Sequence, residues 1–186
     1  RLGWRVLERA AAQAAAWNRR AAEAVTVSVN LAPQQVVQAG VADQVARILR
    51  EAGCEPGWIR LELTESALGG DPDWIRDNLV ALRELGFELS IDDFGTGYSS
   101  LSHLHHFPFD SLKVDRSFVA DAPHHARSLE LVRAIVAMSR SLGLAVVAEG
   151  VETDAQLDLV REVRASCVQG FRFAPALAPE HAEVWL

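Results

Sequence analysis

The 186-residue chain has only two cysteines, Cys54 and Cys167. Neither belongs to a CxxC pair, which argues against a zinc site and against a disulfide framework. Both lie in or beside apolar segments and read as buried thiols of a reducing compartment. No apolar run reaches the ~18 residues that a membrane span requires. The N-terminal "RLGWRVLERAAAQAAAWNRR" is no signal peptide, because Arg5, Glu8 and Arg9 interrupt it. No GxGxxG or P-loop follows the first strand-like run, which removes the common doubly wound nucleotide folds. The net charge of -7 argues against a broad nucleic-acid surface. An acidic protein can still hold an anionic substrate through local cations, most simply metal ions. The chain lacks an initiator methionine and starts inside a helical pattern, as a piece of something longer would.

What is present is a regular alternation. A helix over 2–20 places Leu2, Val6, Leu7 and Ala10 on one face. Six strand-like runs follow: "AVTVSVNL", "WIRLELTE", "FELSIDD", "DSLKVD", "LAVVAEG" and "ASCVQG". Between them lie helical segments: "APQQVVQAGVADQVARILREAG" with Pro33 near its start and Gly53 after its end, "DWIRDNLVALRELG" opened by Asp71 and Pro72, "YSSLSHLHHF", "SLELVRAIVAMSRSLG" and "TDAQLDLVREV" opened by Thr153. A last helix begins at "APEHAEVWL". Connections too long for hairpins mean parallel βαβ units in a single α/β domain. An open doubly wound sheet and a (β/α)8 barrel both remain compatible with that pattern.

The polar residues decide between them. Asn30 ends the first strand; Glu62 and Glu65 the second; Asp92 and Asp93 the third; Lys113 and Asp115 the fourth; Glu149 and Glu152 the fifth; Gln169 the sixth. A switch point gathers groups from a few strands, whereas a barrel mouth gathers them from all. The barrel is therefore favoured. Some of these acids are helix caps, and Asp71, Thr153 and Asp154 fit that role. Six polar strand ends in succession are more than capping requires. Two unit charges ~4 Å apart repel by about 4 kcal/mol at an effective dielectric near 20. Glu62, Asp92, Asp93 and Glu149 at one mouth exceed what Lys113 alone neutralises. Oxygen donors with one amide, Asn30, suit Mg²⁺ or Mn²⁺. Adjacent aspartates suit a pair of such ions, the arrangement of two-metal phosphoester hydrolysis. The glycines of "FGTGYSS" let a loop fold over that mouth. His103, His105 and His106 lack zinc-helix spacing and read as surface or packing, as do His124 and His125. The tryptophans read as packing, and Phe94, Tyr98 or Phe171 are better placed to stack on a base.

"SVNLAPQQ", "LELTES", "IDDFGTGYSSLSHL", "LKVDRSFV", "VVAEGVET" and "QGF" resemble, in order and spacing, the motifs of EAL-domain cyclic-di-GMP phosphodiesterases. The resemblance covers residues 1–186. It implies a TIM-type (β/α)8 barrel, modified by one antiparallel strand. About six parallel strands would be present here and the N-terminal strands missing. It implies metal-dependent hydrolysis of cyclic di-GMP to linear pGpG with two Mg²⁺ or Mn²⁺ ions. Asn30, Glu62 and Asp92 would be ligands of one ion. Asp92 would bridge to a second, which Asp93 helps bind, with Glu149 as a ligand of that ion or a group supporting its ligands. Lys113 would orient the attacking water, Glu65 would steady the "DDFGTG" loop, and Glu152, Gln169 and Phe94 would face substrate. It also implies a cytoplasmic homodimer, upstream sensory or GGDEF-type domains, a possible membrane anchor in the parent protein, and no nucleic-acid polymer. A non-catalytic cyclic-di-GMP receptor is the alternative. The family's glutamate-alanine-leucine segment has no equivalent in these residues. Its loss would remove one metal ligand, open a seam in the barrel, weaken or abolish catalysis and favour association. "FAPALAP" stands where the family often has lysine-proline after "QGF", with Pro175 as its proline.

Overall fold

A computed structural model describes residues 2–68, 72–96, 104 and 106–185. Among these, helix α1 (Leu2–Asn18) precedes six strands: β1 (Val27–Asn30), β2 (Ile59–Thr64), β3 (Glu88–Phe94), β4 (Ser111–Val114), β5 (Ala145–Ala148) and β6 (Cys167–Val168). All neighbouring pairs are parallel and the spatial order is the sequence order. That order, with helices in the crossovers, is the barrel arrangement rather than the reversed order of a doubly wound sheet. β1 and β6 are the two sheet edges. Helices α2 (Pro33–Val36), α3 (Val41–Ala52), α4 (Pro72–Glu84), α5 (Arg116–Asp121), α6 (Ala126–Ser141), α7 (Asp154–Glu162) and α8 (Pro179–Ala182) complete the layer. None of them is long and apolar enough to cross a membrane. The N-cap expected at Asp71, Tyr98, His103, His105 and most of the helix expected at "YSSLSHLHHF" lie outside the described residues.

Alternation along the strands separates two faces. Leu61, Leu63, Leu89, Ile91, Leu112, Val114 and Val146 are buried under the helices, at most 1% exposed. The opposite face carries Glu62, Ser90, Asp92, Ser111 and Lys113, all buried and all polar. Arg60 and Glu88 are register partners near the start of that inner face, with Arg60 Nε donating to Glu88 Oε2 at 2.9 Å. Ser90 and Ser111 pair across β3 and β4, yet each Oγ is buried without a hydrogen-bond partner. An unsatisfied buried hydroxyl costs about 1–3 kcal/mol. Ser90→Ala and Ser111→Ala are therefore expected to be neutral or stabilising by up to about 1 kcal/mol in urea unfolding. A loss above that would mean that each hydroxyl is satisfied in solution.

Local signals fixed most of the element ends. Thr153 caps α7 in a capping box, its hydroxyl accepting from Gln156 N–H at 3.3 Å. Gly53 ends α3 at φ 61, a left-handed turn that glycine adopts without steric cost. Four expectations need correction. The helix expected over 32–53 is two helices, because Gly40 adopts φ 71 between them. α1 buries Leu7, Ala11, Ala14 and Ala15, while Leu2 and Val6 are exposed, so its small residues make the contact. Cys54 is buried, and burial first, then Glu55, pushes its thiol up to about 11, whereas Cys167 is exposed. Finally, "RSFVAD" forms the short helix α5, with Asp115 as its cap: Oδ1 accepts from Ser117 N–H at 2.9 Å. Asp115 is therefore used as a cap. Burial works against its charge, but the hydrogen bonds from Ser117 outweigh that and hold its carboxyl below the ordinary value.

Candidate metal centre

The adjacent aspartates are explained by a β-bulge. Ile91 pairs with Leu112 and Phe94 with Val114, so three steps on β3 match two on β4. Asp93 takes φ 54 and Gly95 φ 96. A regular strand would send Asp92 and Asp93 to opposite faces. The bulge instead lets carboxylate oxygens of Asp92, Asp93 and Glu149 lie within 4.8 Å of one another. A left-handed residue other than glycine costs of order 1–3 kcal/mol and persists where its surroundings impose it. Asp93 N–H donates to Asp92 Oδ1 at 3.1 Å, and Thr96 Oγ1 donates to the Asp93 carbonyl at 2.8 Å.

Lys113 rises from β4 into the middle of these acids. Its Nζ lies 2.8 Å from Glu62 Oε2, 3.0 Å from Asp92 Oδ1 and 2.7 Å from Glu149 Oε1. An ammonium has three N–H groups, and three carboxylates take them. Burial alone would lower the Lys113 pKa, but the hydrogen bonds to Glu149 and Glu62 outweigh it and hold the pKa above its ordinary value. Four carboxylates thus share one cation, and the imbalance shows in the acids. The Glu149 carboxyl is held above its ordinary value by burial, a rise that the bond from Lys113 only partly offsets. Asp93 is raised first by burial, then by Asp92 and Asp115.

The other expected residues take distinct places. Asn30 is exposed at the end of β1, in register with Glu62. Glu65 is buried in a 3-10 turn after β2, and its Oε2 accepts from Gly95 N–H at 3.1 Å. Glu152 and Gln169 are exposed beyond β5 and β6. Gln156 Oε1, which the sequence reading passed over, accepts from Glu152 N–H at 2.7 Å and fixes that backbone. Phe94 is not brought to this group. The bulge shifts it to the helix-facing side, where it is buried and lines an apolar cavity of about 360 Å³ with Phe118, Leu131, Ala134, Ile135 and Met138. Phe171 is 69% exposed.

The donor set fits a hard divalent cation: oxygen ligands only, in negative excess, with the Asp92–Asp93–Glu149 group reaching a partly exposed surface. Asp92 and Glu149 each belong both to that group and to the Lys113 cluster, so the two carboxylates join the two sets of donors.

Comparison with known proteins agrees with this architecture. The EAL domain family model matches residues 1–176. The chain is 47% identical over 155 residues to the cyclic di-GMP phosphodiesterase NbdA of Pseudomonas aeruginosa, a match covering 83% of this chain and 20% of that protein. Its fold superposes on the PaMucR phosphodiesterase in complex with c-di-GMP with a TM-score of 0.91 and 38% identity, covering 97% of this chain and 73% of the other. It also superposes on the manganese/cy-diGMP complex of Klebsiella pneumoniae BlrP1 with a TM-score of 0.82 and 32% identity, covering 91% and 43% of the two chains. The chain spans between 20% and 25% of the length of the first curated relatives that it matches. With its sequentially ordered parallel strands and the acids gathered around Lys113, the chain belongs to the EAL domain family.

Proposed function

We propose that this domain hydrolyses cyclic di-GMP to linear pGpG with the aid of two divalent ions, Mg²⁺ or Mn²⁺. The observation that carries the reading is the convergence of Glu62, Asp92 and Glu149, from three strands, on Lys113. Asn30, Glu62 and Asp92 would hold one ion; Asp92, Asp93 and Glu149 would hold the other. Such ions supply Lewis acidity toward a phosphodiester and acidify water. The chain's own residues do the rest. Lys113 holds three carboxylates in place. With part of that charge balanced by bound cations, Lys113 would have an N–H to offer to the phosphate or the attacking water. Glu65 fixes the backbone at Gly95 and with it the end of the bulge. Glu152 and Gln169 offer polar groups to the guanine edges. Phe94 supports the bulge from behind instead of stacking on a base. We place the domain in a longer cytoplasmic signalling protein, alongside sensory or GGDEF-type domains and acting as a homodimer; the length of the relatives supports the longer parent protein.

The test is to incubate the parent protein with Mn²⁺ or Mg²⁺ and cyclic di-GMP and to resolve products chromatographically. Linear pGpG, lost on addition of EDTA, is expected. Nucleotide binding that survives EDTA, with no hydrolysis, would replace the enzyme by a receptor. Glu65→Ala is expected to lower kcat about tenfold or more through the loosened Gly95 backbone. Its circular dichroism should stay that of the wild type, since the turn at 65–68 lies outside the sheet pairing. An unchanged kcat would remove Glu65 from the site.

A further inference from the structure

We propose that Phe118 is a positioning residue whose ring holds the Asp92–Asp93 bulge in its metal-binding shape. The inference rests on reading the acid cluster as a cation site. Gly95 follows the bulge at φ 96, a conformation that disfavours any side chain. A Cβ at Gly95 would lie 2.8 Å from Phe118 Cε2 and 3.2 Å from Cζ. The aromatic edge therefore sits directly on the glycine. On the polar side, the Gly95 N–H is taken by Glu65. One residue's backbone is thus gripped between a carboxylate and a ring.

The ring is itself well anchored. Phe118 lies in α5, whose first turn is fixed by the Asp115 cap. Asp115 follows Val114, the register partner of Phe94. Strand pairing at Phe94 and ring contact at Gly95 therefore tie both sides of the bulge's exit to one corner between β4 and α5. Behind the ring the support is incomplete. The apolar cavity of about 360 Å³ has Phe94, Gly95 and Phe118 in its wall, with Leu131, Ile135 and Met138 of α6 opposite. Removing the ring enlarges that space beside Gly95. The backbone is then free to relax toward regular alternation, which carries one of the two aspartates off the shared face.

The experiment measures Mn²⁺ affinity calorimetrically on the full chain, well below the unfolding temperature, for wild type, Phe118→Ala, Phe118→Leu and Asp92→Asn. Phe118→Ala should bind Mn²⁺ about tenfold more weakly, as loss of a supporting residue around a metal site does. Phe118→Leu should fall between it and wild type. A purely structural role would lower the unfolding midpoint of Phe118→Ala and leave its Mn²⁺ affinity at the wild-type value; that result overturns the proposal. If Phe118→Ala does not fold, Phe118→Leu is read alone, and wild-type affinity there overturns it as well. Loss of binding in Asp92→Asn with none in either Phe118 variant leaves the cation site standing and removes only the positioning role. A wild-type chain that binds no Mn²⁺ overturns both.

Discussion

Asp92→Asn is expected to lose at least about 10³-fold in kcat, because under the proposed two-ion reading Asp92 would serve both ions, and such a ligand would carry several kcal/mol of transition-state stabilisation. The substitution is nearly isosteric. Lys113 keeps Glu62 and Glu149 as partners, and Asp93 N–H keeps an acceptor in the amide oxygen. The sheet should survive, so the loss is one of charge and not of shape. Turnover at saturating Mn²⁺, with a Mn²⁺ titration beside it, reads both consequences. Wild-type kcat in this variant would contradict the assignment of Asp92 and, with it, the two-ion reading.

Lys113→Met has the second large effect, and it acts on stability before catalysis. The substitution keeps an unbranched apolar stem of similar length and removes the only cation within reach of Glu62, Asp92 and Glu149 among the described residues. Breaking a buried ion pair by deleting one partner costs about 3–5 kcal/mol. Urea unfolding in EDTA should show a loss of that size. The loss should grow with pH. Glu149 is already held above its ordinary value of 4.5 and would be raised further without the ammonium. An acid raised in the folded state binds its proton more tightly there than in the unfolded chain. Stability then falls as pH climbs through the unfolded value. The gap to wild type is therefore small near pH 4 and largest near pH 8. Saturating Mn²⁺ should narrow it, by restoring positive charge to the same oxygens. A gap that does not change with pH or Mn²⁺ would show that Lys113 acts through its stem alone.

The succession of strands and helices was legible because short apolar runs alternate with helical spacing, and because Gly53, Thr153 and Pro33 mark helix ends by local chemistry; the barrel order followed from polar groups at all six strand ends. The polar strand ends were legible for the same reason: a carboxylate at the end of an apolar run conflicts with burial unless something compensates it. The sequence could not reveal how two neighbouring aspartates share a face. That depends on a bulge whose position is fixed by pairing between β3 and β4, a long-range fact. The same bulge moved Phe94 out of the site, since one inserted residue reverses every later side chain. Asp115 read as a strand-end acid because its partner, the Ser117 N–H, belongs to a helix too short for a periodic signal. Ser90 and Ser111 drew no notice, since serine in a strand is ordinary until its partners can be counted.

The convergence of Glu62, Asp92 and Glu149 on Lys113 also constrains how the chain reaches its native state. Lys113 and Glu62 are 51 positions apart, and the strand between them contributes Asp92. No local segment can satisfy that ammonium by itself. During refolding the polar knot has to wait until β2 to β5 are all docked, and parallel sheets with distant pairings dock slowly. Until then the acids stay hydrated and apart, so the charged centre closes late, as a seal on a sheet that is already assembled.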